Sequence, residues 1–204
     1  MKNKICENTY EHEYWNLNKY VLGIDEAGRG PLAGPLVVAG VVFEIGYENP
    51  DIYDSKSLSE KKREELFDII QEDALDFEIK IVTEEEIDKY NIYRADQRAM
   101  TEIANDLACD FVITDAMPLA IDKEMVSLVK GDQKSISVAA GSILAKVTRD
   151  RIMKYYDEIY PVYGFAKNKG YPTKQHLEAI ETYGITPIHR KSFGPVAFHQ
   201  EKLF

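Results

Sequence analysis

The run LVVAGVVFE at 36–44 does most to narrow what this chain can fold into. Its residues are apolar and mainly β-branched, which suits a packed, pleated environment and predicts a central strand. It falls well short of the roughly 18 apolar residues of a membrane span, and no other run reaches that length. Just before it, YVLGI at 20–24 predicts a short buried strand ending at Asp25, and a Gly/Pro-rich loop from Ala27 to Pro35 joins the two. The stretch from Gly46 to Asp54 is loop. DFEIKIVT at 76–83 alternates with period two, DFVITD at 110–115 predicts a further strand, and SLVKGD at 127–132 a shorter one. Ser59 is a good N-cap for KKREELFDIIQE, with Leu66, Phe67, Ile69 and Ile70 as the buried face. Helices are predicted over 93–108, over 137–160 through Val138, Ile143, Leu144, Val147, Ile152 and Tyr156, and over 173–183, where Gly184 stops the last. This order predicts an α/β fold, a mixed sheet covered by helices.

At 204 residues and 45% apolar, the chain suits one domain with a sizeable core. The net charge of −10 argues at first against a nucleic-acid partner. Its distribution changes that view: residues 1–129 hold 13 Lys and Arg against 28 Asp and Glu, whereas residues 130–204 hold 12 against 7. A basic face beside an acidic one and two ordinary surfaces of different sign both fit this asymmetry. Cys6 and Cys109 sit in no CxxC pair, so both are expected as reduced thiols without zinc, Cys109 buried. The N-terminus is too polar for a signal peptide, and the expected location is cytoplasmic. Residues 1–19 read as a polar extension, 20–195 as the folded domain, and 196–204 as a tail.

Three predicted strands end in acids: Asp25 with Glu26, Asp115, and Asp132. Ligands of open α/β sheets gather beyond the carboxyl ends of the strands. Carboxylates facing one another there repel unless a cation neutralises them, and hard oxygen donors suit Mg²⁺ or Mn²⁺. Two such ions can clamp the attacking and leaving oxygens of a phosphodiester. Each acid taken singly also fits a solvated strand end. The loop Gly28-Arg29-Gly30-Pro31 follows the first acids. Its glycines let backbone N–H groups approach a phosphate, and they equally suit a tight turn between strands. It is not a dinucleotide-binding loop, because Pro31 and Pro35 lead into a strand where that fingerprint needs a helix.

GIDEAGRGPLAGP at 23–35 closely resembles the signature of the ribonuclease HII family, and further family motifs follow in order. DSKSLSEKKRE at 54–64, TDAMPL at 114–119, KGDQKSISVAAGSILAKVTRDRIM at 130–153, NKGYPTKQH at 168–176 and HRKSF at 189–193 resemble the rest, so the likeness covers 20–195. It implies a ribonuclease H-like mixed five-stranded sheet flanked by helices, with a helical C-terminal region. It implies an endoribonuclease that cuts the RNA strand of RNA–DNA hybrids and incises 5′ of ribonucleotides embedded in duplex DNA, using Mn²⁺ or Mg²⁺. Asp25, Glu26, Asp115 and Asp132 would be the catalytic, metal-binding acids. Gly28, Arg29, Gly30 and Tyr171 would read the junction between ribose and deoxyribose, although Tyr171 alone would otherwise pass for a half-buried core tyrosine. Gly141 departs from the pattern, standing where the family usually has alanine. A mid-helix glycine costs about 1 kcal/mol, so close packing or mild destabilisation is expected there. The sister type, ribonuclease HIII, carries an extra N-terminal domain and lacks the GRG loop, which disfavours it.

Lys56, Lys146, Arg149 and Arg190, with Lys167, Lys169, Lys174 and Lys191, are candidate phosphate contacts, each also readable as solvated surface. The terminal QEKLF, with Gln200, Leu203 and Phe204 as anchors, resembles the peptide by which bacterial replication proteins dock on the sliding clamp; Leu203 and Phe204 packing back on the domain is the alternative. A monomer without membrane association is expected. Two rival functions remain at this point: another metal-dependent nuclease of the same fold, betrayed by cleavage of all-DNA substrates, and a non-catalytic nucleic-acid-binding module, betrayed by binding without cleavage.

Overall fold

The computed structural model describes residues 5–201. Five strands form one sheet: β1 (Val21–Ala27), β2 (Leu36–Phe43), β3 (Ala74–Val82), β4 (Phe111–Asp115) and β5 (Glu124–Leu128), in the order β3-β2-β1-β4-β5. The first three are antiparallel neighbours, while β4 and β5 join parallel to β1. The helices are α1 (Thr9–Trp15), α2 (Glu60–Asp73), α3 (Glu84–Tyr90), α4 (Ile92–Asp106), α5 (Ile136–Ile159), α6 (Phe165–Asn168), α7 (Lys174–Tyr183) and α8 (Gly194–Glu201). None of them is long and apolar enough to cross a membrane.

Strand alternation divides the core. Val21, Val37, Ala39, Val41, Phe43 and Ile113 face α5, α2 and α1. Leu22, Ile24, Val38, Val42 and Val112 face α4 with Ala99, Met100 and Ile103. A third cluster, around Leu32, Met153, Phe165, Ile180 and Ile188, seats the C-terminal helices against the loop between β1 and β2. All eight residues of β2 are buried, as a central strand requires.

The long helix α5 lies directly on β1 and β2. A Cβ on Gly23 would sit 2.2 Å from the Ser137 carbonyl carbon, and one on Gly141 would sit 2.7 Å from the Ala39 carbonyl oxygen. Close packing is therefore what Gly141 provides. Residues 1–19, expected as a polar extension, instead include a working part of the fold. Asn8 Oδ1 accepts from Ile136 N–H at 2.8 Å, and the buried Glu11 carboxylate accepts from Ser135 Oγ and Ser137 N–H. These polar groups satisfy the free N–H groups at the start of α5. Tyr14 stacks on Phe111 with ring centroids 3.9 Å apart. The tail expected from 196 likewise begins inside α8, with Val196 in the third cluster. Cys6 is buried, while Cys109, expected to be buried, is only partly so.

Candidate active site

The period of β1 sends its two acids to opposite faces. Asp25 shares the α5 side with Val21, and Glu26 shares the α4 side with Leu22 and Ile24. Because Ile24 pairs with Thr114 in the parallel ladder, Asp115 follows alongside Asp25. Asp132 arrives differently from the expected strand end. β5 stops at Leu128, Lys130 takes a positive φ of 59°, and Asp132 lies in a 3-10 turn over Gly131–Gln133. Asp115 Oδ1 accepts from Gly131 N–H at 2.8 Å, which ties that turn to the end of β4.

The electrostatics of these acids are those of a cluster short of positive charge. Burial, then Glu26 and Asp115, raise the Asp25 pKa well above its ordinary value. Burial, then Asp96, push Glu26 up to about 7. Burial, then Asp54 and Asp115, push Asp132 up to about 6. Lys56 stands among them: burial works against its ammonium, but Asp25, Asp132, Asp54 and Asp115 hold its pKa above the usual lysine value. The carboxylates are near enough to raise one another's pKa without being gathered as ligands, since among the described residues no three His, Cys, Asp or Glu side chains group closely enough to hold an ion. Asp25 Oδ1 accepts instead from the Glu26 N–H, and Asp115 Oδ1 from the Gly131 N–H. The donor set still fits a hard divalent cation. It is all oxygen, and Glu26 Oε2 is buried with no hydrogen-bond partner.

Beside the acids lies a cleft of about 350 Å³, lined by Glu26, Gly28, Arg29, Gly30, Lys56 and Tyr171 among others. The expected junction readers meet there. A Cβ on Gly30 would lie 3.3 Å from Tyr171 Cε1, so the half-exposed Tyr171 ring lies against the loop. Gly170 makes this docking possible: its φ is +83°, a Cβ there would meet Ala33 O at 2.2 Å, and its carbonyl accepts from Leu32 N–H at 2.8 Å.

Two expected phosphate contacts have another job. Arg149 and Arg190 are buried, not surface cations. Arg190 donates to the carbonyls of Gly28 (2.7 Å), Gly34 (2.9 Å) and Arg29 (3.2 Å). Arg149 donates to those of Pro35, Ala33 and Lys169. The fork of five donors suits guanidinium to bracing a carbonyl-rich loop, which residue type alone does not distinguish from phosphate binding. Since the peptides are trans, holding the Gly28 and Arg29 carbonyls on Arg190 aims the Arg29 and Gly30 N–H groups away from it. Lys146 lines the cleft and donates to Asp150 at 2.6 Å, and Lys174 pairs with Glu178 on α7. Leu203, Phe204 and the Gln200 side chain lie outside the described residues.

Sequence reasoning missed Asp96. It is fully buried on α4, neither carboxylate oxygen makes a hydrogen bond, and Arg29 Nε lies 3.5 Å away, with Arg29 Nη1 3.7 Å from Glu26. Burial pushes its pKa up to about 7 against the pull of Arg29. The signal was present: Asp96, Ala99, Met100 and Ile103 fall on one helical stripe, so an acid sits within the apolar face. Asp54 was quoted within a motif but not singled out; Gln133 Nε2 donates to its Oδ2 at 3.1 Å beside Asp132.

The family model described as Ribonuclease HII matches residues 22–196. A ribonuclease HII of Clostridioides difficile (strain 630) is 56% identical over 190 residues, covering 91% of this chain and 74% of that protein. The ribonuclease H2 structure from Pyrococcus horikoshii OT3 superposes with a TM-score of 0.77 at 27% identity, covering 90% of this chain and 98% of that one. The ribonuclease HII of Archaeoglobus fulgidus, solved as a complex with PCNA, gives 0.72 at 30% identity, covering 83% and 91%.

Proposed function

The chain belongs to the ribonuclease HII family, metal-dependent endoribonucleases, and we propose that this site hydrolyses the RNA strand of RNA–DNA hybrids and incises 5′ of ribonucleotides embedded in duplex DNA. The observation that carries the reading is the meeting of Gly30 and Tyr171 beside the Asp25–Glu26 pair, because it sets a sugar-reading surface next to hydrolytic acids. Mg²⁺ or Mn²⁺ held by Asp25, Glu26, Asp115 and Asp132 would supply a more acidic water and positive charge at the leaving 3′ oxygen.

The chain's own residues do the selecting. The 2′-hydroxyl is the difference between the two strands at the reading point. The N–H groups of Arg29 and Gly30, oriented by Arg190, offer donors for it. The Tyr171 ring covers the neighbouring deoxyribose, where a further hydroxyl would clash. Lys56 and Lys146 face the cleft and hold phosphates by charge, giving salt-dependent affinity without sequence preference. Attack at the phosphate 5′ of the ribonucleotide leaves a 3′-hydroxyl and a 5′-phosphate.

A DNA duplex with one ribonucleotide, a continuous RNA–DNA hybrid and plain DNA, each with Mg²⁺, Mn²⁺ or chelator, test this reading. Cleavage of the first two with either metal, lost with chelator and in Asp25→Asn, is the expected result. Cleavage of plain DNA would instead favour a general nuclease of this fold, and binding without cleavage a non-catalytic module. The QEKLF end is proposed to dock on a sliding clamp, supported by its Gln-x-x-Leu-Phe pattern and by the PCNA complex of the Archaeoglobus relative. Deleting 200–204 should abolish clamp binding and spare cleavage; unchanged clamp affinity would remove the idea.

A further inference from the structure

Two histidines from the last two sequence motifs form a buried pair that the reaction above does not use. His176 and His189 are almost wholly inaccessible, with their Nε2 atoms 3.0 Å apart. The rings of Tyr163 and Phe165 pack around both. Their outer nitrogens have partners that fix the tautomers. His189 Nδ1 faces both the Thr186 N–H and the Thr186 Oγ1 at 2.9 Å; the N–H only donates, so that nitrogen carries no proton, and the hydroxyl is left to donate to it as well. His176 Nδ1 faces the Tyr171 carbonyl at 2.9 Å, which only accepts, so that nitrogen carries one. In neutral rings the proton between the two Nε2 atoms must then belong to His189. The chain of donation runs one way, from Thr186 N–H to His189, to His176, to Tyr171 O.

Both histidines connect to the junction-reading surface, His176 through Tyr171 and His189 through its neighbour Arg190. The Tyr171 ring lies against Gly30. His189 directly precedes Arg190, whose N–H donates to Leu32 O at 2.8 Å and whose guanidinium holds Gly28 and Arg29. His189 also forms an isolated antiparallel bridge with Ala33.

We infer that His176 and His189 are positioning residues that set Tyr171 against the Gly28–Gly30 loop, acting through the fixed tautomers of the pair. The inference rests on the proposed role of Tyr171 in reading the junction. Burial keeps both rings below the ordinary histidine pKa, His189 at about 4, so the neutral pair persists near neutral pH. Loss of one such hydrogen bond corresponds to about tenfold in rate.

Two measurements test this. Long-range nitrogen–proton NMR on the ¹⁵N-histidine-labelled full chain at pH 7 should find the Nδ1–H form at His176 and the Nε2–H form at His189; the reverse assignment, or rapid exchange between forms, overturns the relay whether or not any variant folds. His176→Phe fills the space without a donor, whereas His176→Asn keeps a donor near the Nδ1 position. His176→Phe should lower kcat/KM on a duplex with one ribonucleotide about tenfold, with a smaller loss on a continuous hybrid, and His176→Asn should recover most of it. In a Tyr171→Ala background His176→Phe should add no further loss. Equal loss on both substrates, or losses that multiply with Tyr171→Ala, overturn the inference. If Tyr171→Ala cleaves both substrates as the parent does, the reading of Tyr171 itself falls, and NMR tautomers as expected would leave the pair a structural relay only.

Discussion

At the scale of single residues, the site turns on where positive charge is used. Lys56 places an ammonium among four acids, whereas Arg149 and Arg190 have withdrawn theirs into the protein to hold carbonyls. Burial lowers the pKa of Arg149 to about 10 and of Arg190 to about 9. Phosphate contacts and loop braces predict different salt behaviour. Lys146→Ala should flatten the plot of log affinity for hybrid against log salt by roughly one unit of slope, as loss of one phosphate contact does. Arg190→Lys should leave that slope alone. A lysine cannot reach three carbonyls with a planar fork, so the variant should lose about 2 kcal/mol in urea unfolding and select less well for the embedded ribonucleotide. An unchanged urea midpoint for Arg190→Lys with unchanged selection for the embedded ribonucleotide would overturn the bracing role of Arg190.

At the scale of elements, what the sequence discloses depends on how local the cause is. Strands β1 to β4 and the helices α2, α4, α5 and α7 follow from hydrophobic period, with Ser59 as a legible cap; the caps at Ser135 and Thr173 emerge only in the structure, and β5, expected over 127–132, lies at Glu124–Leu128. α1 was not legible, because Glu11 within it and Asn8 just before it bond partners more than 120 positions away, at Ser135, Ser137 and Ile136. Asp132 was found as an acid but given to a strand, because the left-handed turn at Lys130 leaves little trace in a run as short as SLVKGD. The meeting of Asp25 and Asp115 was legible, since both stand at strand ends, with Glu26 next in sequence turned by period two to the other face; the buried Arg braces were not, since exposure is a property of the folded chain. Gly141 gives this scale its prediction. Alanine would favour α5 by about 1 kcal/mol in propensity. Its Cβ would press the Ala39 carbonyl at 2.7 Å and approach the Asp25 nitrogen at 3.3 Å, both backbone atoms that yield only by moving β1 and β2. Overpacking costs about 1–3 kcal/mol, so Gly141→Ala should be net destabilising and should slow cleavage by displacing Asp25. A thermal midpoint above that of the parent protein would show that the sheet gives way more readily than the contact implies.

At the scale of the whole molecule, two buried sets of titrating groups set opposing pH dependences on stability. The acids Glu26, Asp96 and Asp132 have raised folded-state pKa values, so the stability they contribute is present at low pH and is lost as pH rises through about 6 to 7. The His189 pKa is lowered from 6.5 to about 4 by burial and then by His176. Between those two values the unfolded chain binds a proton that the folded chain refuses, so its contribution is present above pH 6.5 and is lost as pH falls toward 4. The cost at the acid end is on the order of 3 kcal/mol. Because the acids act in the opposite direction over much of the same range, the wild-type curve alone does not isolate the histidine. A comparison with His189→Asn does, since the acids are common to both proteins. The variant should be less stable than the parent at pH 7.5, where the neutral pair is intact, and the gap should narrow steadily from pH 6.5 to 4.5 as the parent pays to protonate a buried ring that the variant lacks. Urea unfolding of both proteins at half-unit steps of pH measures this gap. A gap independent of pH would mean that His189 titrates as it does in the unfolded chain, and the neutral, one-way hydrogen-bond chain behind Tyr171 would fall with it.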